Sequence, residues 1–180
     1  IYDWGSHHID WIIQLYGSAP SRVLCSSHTR VWHDTTNADQ LSLWMQWADG
    51  REATFRQSDV CAIRRPKFHI EGTRGTIEGH YRPLRTDAVE PGRGHVEHVS
   101  HHAEAPVDLS VAIYDGTMGL RESTVPPAPK PGWGFHRNLA DHLLLGEPLA
   151  VPPEQSRDVV TVLEAGHRSG ANGGELIELG

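Results

Sequence analysis

The side chains best suited to chemistry lie in the first ten residues, where Asp3, Gly5, His7 and Asp10 read D-x-G-x-H-x-x-D. An imidazole moves protons near neutral pH, and a carboxylate can orient it or accept a hydrogen bond from a substrate hydroxyl. On a helix, His7 and Asp10 share a face because they are three apart, and Asp3 lies four before His7. Two plainer readings stay open. The acids and the histidine can serve only the helix start, where negative charge is favoured. Asp3, His7 and Asp10 can also be metal ligands in kind, although their spacing fits no common ligand motif.

A helix must position these groups, and the sequence supplies one. Gly5 and Ser6 suit a helix start, the first by its freedom and the second as a cap. Ile9, Ile12, Ile13 and Tyr16 then recur at helical spacing, and Gly17 is placed to end the run. Residues 21–32 read as a strand. Leu41, Leu43, Met45 and Trp47 alternate with Gln40, Ser42, Trp44 and Gln46, the pattern of a half-buried strand. Asp49-Gly50 marks a hairpin turn, with residues 51–58 returning. A second hairpin is expected at residues 68–80, and residues 82–94, rich in Pro, Gly and charge, read as a loop. Strands at 109–114 and 120–125 flank Asp115-Gly116, and residues 126–131 form a proline-rich connector. Phe135, Leu139, Leu143 and Leu144 make the apolar stripe of a second helix, stopped by Gly146 and Pro148. Pro152-Pro153-Glu154 opens a last helix, with Val159, Val162, Leu163 and Gly166 as its buried side. Residues 176–179 close the chain as a short strand.

Composition narrows the function. A chain of 180 residues suits a single domain, 1–180, with no Rossmann domain in it. The net charge of −7 argues against a nucleic-acid surface. No apolar run is long enough to span a membrane, and no signal peptide is recognisable. The chain starts at Ile1 without Met, which fits a piece cut at a domain boundary. Cys25 and Cys61 suggest reduced, buried thiols of a cytoplasmic protein, although one bridge stays open. The six Trp suit packing or sugar stacking. His95, His98, His101 and His102 invite a metal, but residues three apart on a strand face opposite ways.

The opening D-x-G-x-H-x-x-D with its amphipathic helix resembles the start of the C-terminal domain of the Gfo/Idh/MocA oxidoreductases. Three later stretches agree. Trp44-Met45-Gln46-Trp47-Ala48-Asp49-Gly50 resembles that family's central hairpin. Phe68-His69-Ile70-Glu71-Gly72-Thr73-Arg74-Gly75-Thr76-Ile77 resembles its strand-turn-strand ending in G-x-x-G-T. Residues 135–174, with Gly146-Glu147-Pro148 and Glu164-Ala165-Gly166-His167-Arg168-Ser169, resemble its closing pair of helices.

The resemblance implies an α+β domain: a largely antiparallel open sheet with helices on one face, the other face meeting a second subunit in a homodimer or higher oligomer. It implies a sugar or polyol substrate, His7 as acid/base, Asp3 as hydroxyl ligand or orienter of His7, and Asp10 as support. Arg64 and Arg65, leading into the sheet, are candidates for an acidic substrate group, and His136 for a substrate-facing position. It implies NAD or NADP in the full-length protein. The family's nucleotide-binding half, with its catalytic lysine, precedes this motif and is not in these 180 residues. No G-x-G-x-x-G follows a strand here, so no nucleotide is expected on this chain alone. Two other functions stay open: a non-catalytic ligand-binding or assembly module of the same fold, and a metal-dependent hydrolase or isomerase built on Asp3, His7 and the later histidines.

Overall fold

The computed structural model describes residues 1–81, 84–100, 107–117, 119–126, 128 and 132–180, with Leu84, Thr86, Val99 and Ser100 through their backbone alone. Two compact units emerge: residues 1–62 with 133–180, and residues 63–132. The described elements form an α+β fold whose strand pairs are all antiparallel.

The first unit begins with α1 (Tyr2–Tyr16). Gly17 ends it in the left-handed conformation, φ 78°, donating its N–H to the Ile13 carbonyl at 2.8 Å. Strands β1 (Arg22–His28), β2 (Gln40–Gln46) and β3 (Glu52–Ser58) follow. Leu41, Leu43 and Met45 point to the core, while Gln40, Ser42, Trp44 and Gln46 take the other face, as the alternation requires. Two more helices, α2 (Gly134–Leu145) and α3 (Pro153–Ala171), precede a two-residue strand, Ile177–Glu178. That strand is numbered β10 in chain order and pairs with β1, giving the sheet order β10-β1-β2-β3.

Helices α1 and α3 supply the apolar side chains that meet this sheet. Ile9, Val23, Leu43, Met45 and Val162 are fully buried, with Ile13, Phe55 and Leu163 close behind. Burying a side chain of this size stabilises by roughly 1.5–3 kcal/mol each, so these residues dominate the unit. Ser169 is also fully buried. Its Oγ accepts from the Cys25 N–H at 2.7 Å and donates to the Glu175 carbonyl at 2.6 Å, tying α3 to β1.

The second unit holds β4 (Phe68–Gly72), β5 (Gly75–Tyr81), β8 (Val107–Tyr114) and β9 (Leu120–Val125) in that sheet order. Strands β6 (Leu84–Glu90) and β7 (Gly94–Ser100) form a separate two-stranded ribbon.

Several local expectations need correction. Gly5 and Ser6 lie inside α1 rather than at its start. Gly5 is there for close packing, since a Cβ would stand 3.0 Å from Leu163 Cδ2, and Ser6 Oγ donates to the Asp3 carbonyl at 2.7 Å. The stretch 82–94, expected as a loop, contains β6 and the turn of its hairpin. Its described side chains are largely exposed, so burial leaves no apolar alternation to read. The apolar stripe of α2 buries nothing: Phe135, Leu143 and Leu144 are 74%, 73% and 80% exposed. Cys61 is exposed while Cys25 is buried, and the two are not joined in a disulfide. Strand β1 stops at His28, because Arg30, Val31 and Trp32 turn their amides onto Asp39. His101, His102 and most of the 126–131 connector lie outside the described residues.

Candidate functional site on the first helix

Helical periodicity divides α1 into faces. Gly5, Ile9 and Ile13 are buried on the core side. Asp3, His7, Asp10 and Gln14 recur every three to four residues on the far side, so the helix presents both acids and the imidazole on one stripe. Asp3 and His7 are exposed and Asp10 is half-buried.

Asp10 is the most fixed of the three. Its Oδ2 accepts from Gln14 Nε2 at 2.7 Å, and its Oδ1 accepts from Gln155 Nε2 of α3 at 2.6 Å. It therefore locks the polar stripe to the neighbouring helix, a supporting position. Gln155 carried no sequence signal, because it meets Asp10 across 145 residues. Among the described residues no hydrogen bond joins Asp3 to His7, so the structure brings them to one face without coupling them. The next residue, His8, faces another way. Its Nδ1 donates to the Trp4 carbonyl at 2.8 Å, and its ring packs against Trp11 and Phe55 at 4.9 and 5.2 Å. Trp4 also lies 6.1 Å from the His7 ring.

The remaining candidates belong elsewhere. Arg64 and Arg65 are in the second unit. The Arg64 guanidinium sits 5.6 Å from the Tyr81 ring centroid, with Lys67 Nζ at 5.7 Å from the same ring. Burial pushes the Tyr81 hydroxyl above the ordinary phenol range, opposed by the Arg64 charge. Arg65 is exposed. His136 lies on α2, edge-on to Trp133 and Phe135 at 5.4 Å each. Among the described residues no three His, Cys, Asp or Glu gather as a metal site, and both carboxylate oxygens of Asp10 already accept hydrogen bonds.

The second unit has a polar cluster that sequence reasoning missed. His69 lies between Glu71 at 3.2 Å and Glu78 at 3.4 Å, and His80 donates to Glu78 at 2.7 Å. Hydrogen bonding to Glu71, then Glu78, holds the His69 imidazole above its usual range, and the His80 bond holds Glu78 below the usual carboxylate range. This face borders a shallow groove of about 420 Å³ lined by His69, Thr76, Glu78, Ser110, Glu122 and Thr124. Register accounts for it, since His69↔Glu78 and Glu78↔Ser110 are cross-strand partners.

An antiparallel sheet covered by an amphipathic helix that carries two acids and an imidazole on one stripe makes this an α+β domain. Residues 1–78 match the GFO/IDH/MocA C-terminal domain. That match covers the first 78 of the 180 residues, and the α+β architecture resembles solved structures along nearly the whole chain. Solved structures with this fold include yvaA of Bacillus subtilis, named as an oxidoreductase, with a TM-score of 0.78 and 19% identity over 99% of this chain and 50% of that one. An oxidoreductase from Bacillus cereus aligns with a TM-score of 0.75 and 16% identity, over 99% of this chain and 52% of that one. An NAD-binding protein from Listeria innocua aligns with a TM-score of 0.66 and 17% identity, over 98% and 46%. The chain thus spans about half the length of these relatives. No curated protein matches its sequence.

The fit to a dinucleotide can be judged on the strands. Every strand pair described is antiparallel, whereas a dinucleotide cradle is a parallel strand–helix–strand unit with a glycine-rich turn. The described residues do not fit NAD or NADP.

Proposed function

We propose that this chain is the substrate-facing and subunit-contacting domain of an NAD(P)-dependent sugar or polyol dehydrogenase. The observation that carries the reading is the exposed stripe of Asp3, His7 and Asp10 on α1, in a chain that matches the family over the same residues. His7 is the group that takes the proton from a substrate hydroxyl oxygen as the carbinol is oxidised, and returns it in the reverse direction. Asp3, one turn away, accepts a hydrogen bond from a neighbouring hydroxyl. Asp10, held by Gln14 and Gln155, keeps the stripe in place. Arg64 and Arg65 are the groups available for an acidic substituent on the substrate. The oxidoreductase and NAD-binding names of the fold relatives support the cofactor assignment in the complete protein. The outer face of β1–β3, with Leu24 and Trp44 partly exposed, is the surface assigned to a second subunit.

The test is His7→Ala in the complete enzyme. General acid–base groups contribute roughly 10²–10⁴-fold, so kcat should fall by that order while the unfolding midpoint stays unchanged. A near-normal kcat in a folded variant would overturn the assignment.

A further inference from the structure

We propose that α2, with Trp133 at its start, is the docking face for the polypeptide half that completes the full-length protein. The proposal rests on the reading that a nucleotide-binding half accompanies this chain, and names the surface that seats it. Helix α2 has its two sides reversed for a surface helix. None of its residues is buried. Phe135, Leu139 and Leu143 follow one another at four-residue steps, so they form one apolar row with Leu144 beside it. All four are exposed, and so is Trp133 at the helix start.

The polar side of α2 is the engaged one. Asn138 Nδ2 donates to the Pro148 carbonyl at 3.0 Å, and its Oδ1 accepts the Ala150 N–H at 2.8 Å. His142 Nδ1 donates to the Glu147 carbonyl at 2.7 Å. These bonds tie residues 147–150 to one side of the helix, which fixes its rotation and holds the apolar row outward. At the other end Trp133 has φ 61°, and it is the only described residue other than glycine at positive φ. A bulky side chain is strained in that region, and strain of this kind gathers at binding sites.

The size and charge of the face select its occupant. A helix that lies on a lipid surface is rich in Lys and Arg on its polar side, whereas α2 has Arg137 alone, offset by Asp141. A free partner protein is held by roughly 20–30 residues a side, and the row with Trp133 offers five large apolar side chains. A tethered partner needs far fewer, because the covalent link sets its effective concentration near the millimolar range. The fold relatives are about twice as long as this chain, so a tethered half of matching size is part of proteins built this way. A helix of 12 residues is also marginal without tertiary cover.

The experiment is photo-cross-linking of the full-length protein carrying Leu143→p-benzoylphenylalanine, with the linked peptides mapped by mass spectrometry. The link should join position 143 to a peptide outside residues 1–180 of the same polypeptide. A cross-linked dimer, a link confined to residues 1–180, or no link at all would overturn the proposal. A second readout is hydrogen–deuterium exchange of the full-length protein. Leu143→Glu with Leu144→Glu should speed exchange of residues 134–145 roughly tenfold while α3 keeps its rate, and an unchanged rate in α2 counts against the docking face. Titration of the same protein with NADH and NADPH, followed by nicotinamide fluorescence, separates the two readings. Nucleotide binding without the expected link keeps the dehydrogenase and removes the docking face. The expected link without nucleotide binding does the reverse, and a native protein of these 180 residues alone would remove both.

Discussion

Asp39 is fully buried, and its carboxylate accepts the backbone N–H of Arg30 at 2.9 Å, Val31 at 2.6 Å and Trp32 at 3.1 Å. The Arg30 amide chiefly, against the opposing cost of burial, holds this carboxyl below its usual range. A depressed folded value means the contribution to stability is present above the unfolded carboxylate value and is lost as pH falls through the folded one. Asp39→Asn should lower the urea midpoint at about pH 7, and the gap to wild type should narrow only as the pH falls below about 4. His69 runs the other way. Its raised value gives a contribution present below the ordinary imidazole range and lost as pH rises through the folded value, and exposure keeps it small. Removing Ser169 Oγ leaves the buried Cys25 amide without its acceptor, so Ser169→Ala should cost about 1–3 kcal/mol in urea unfolding. At this scale the sequence was only partly legible. The Asp3–His7–Asp10 spacing placed three groups on one face because a helix repeats locally. Asp39, Gln155 and Ser169 carry the strongest polar contacts, yet their importance comes from partners that only tertiary structure supplies.

Among the elements, those with a buried face were the readable ones. β2 alternates because one side meets α1 and α3 and the other does not, and α3 shows its apolar stripe for the same reason. The β6–β7 ribbon has no such side, and its Pro91-Gly92-Arg93-Gly94 turn looks the same as a loop. The helix α2 was read correctly as a helix, but its stripe did not reveal where it goes. With no buried side chain, Leu143→Glu should change unfolding free energy by less than about 0.5 kcal/mol while reducing binding of a hydrophobic dye. The reverse holds at Gly170 in α3. A Gly→Ala change in a helix interior gains about 1 kcal/mol of propensity, and less in the last turn where Gly170 lies, but the new Cβ would stand 2.9 Å from Ser27 Cβ. That atom is fixed to β1 and cannot swing away, so overpacking of roughly 1–3 kcal/mol wins. Gly170→Ala should lower the unfolding midpoint, and a raised one would contradict the close approach of α3 to β1.

For the whole molecule, the α+β class followed from the mixture of alternating and helical patterns, and the order of the motifs carried the family resemblance. The division into two units was not legible, since residues 63–132 join the flanking chain without a change in composition. The subunit contact assigned to the Trp44 face has a direct test. Trp44→Lys should shift the mass measured by light scattering from oligomer to monomer with circular dichroism unchanged, and a monomeric wild type would remove that assignment. The two-part make-up of the first unit bears on how the chain is made. Residues 1–62 supply α1 and three strands, but the helix that covers them and the strand that completes their sheet come only after residue 153. Cys25 finds Ser169 across 144 positions of chain. Such long-range closure slows folding and leaves apolar surface uncovered in the interval. As the chain leaves the ribosome, Leu43 and Val23 therefore stay open to solvent until α3 has followed them out, and this is the stretch a chaperone would hold.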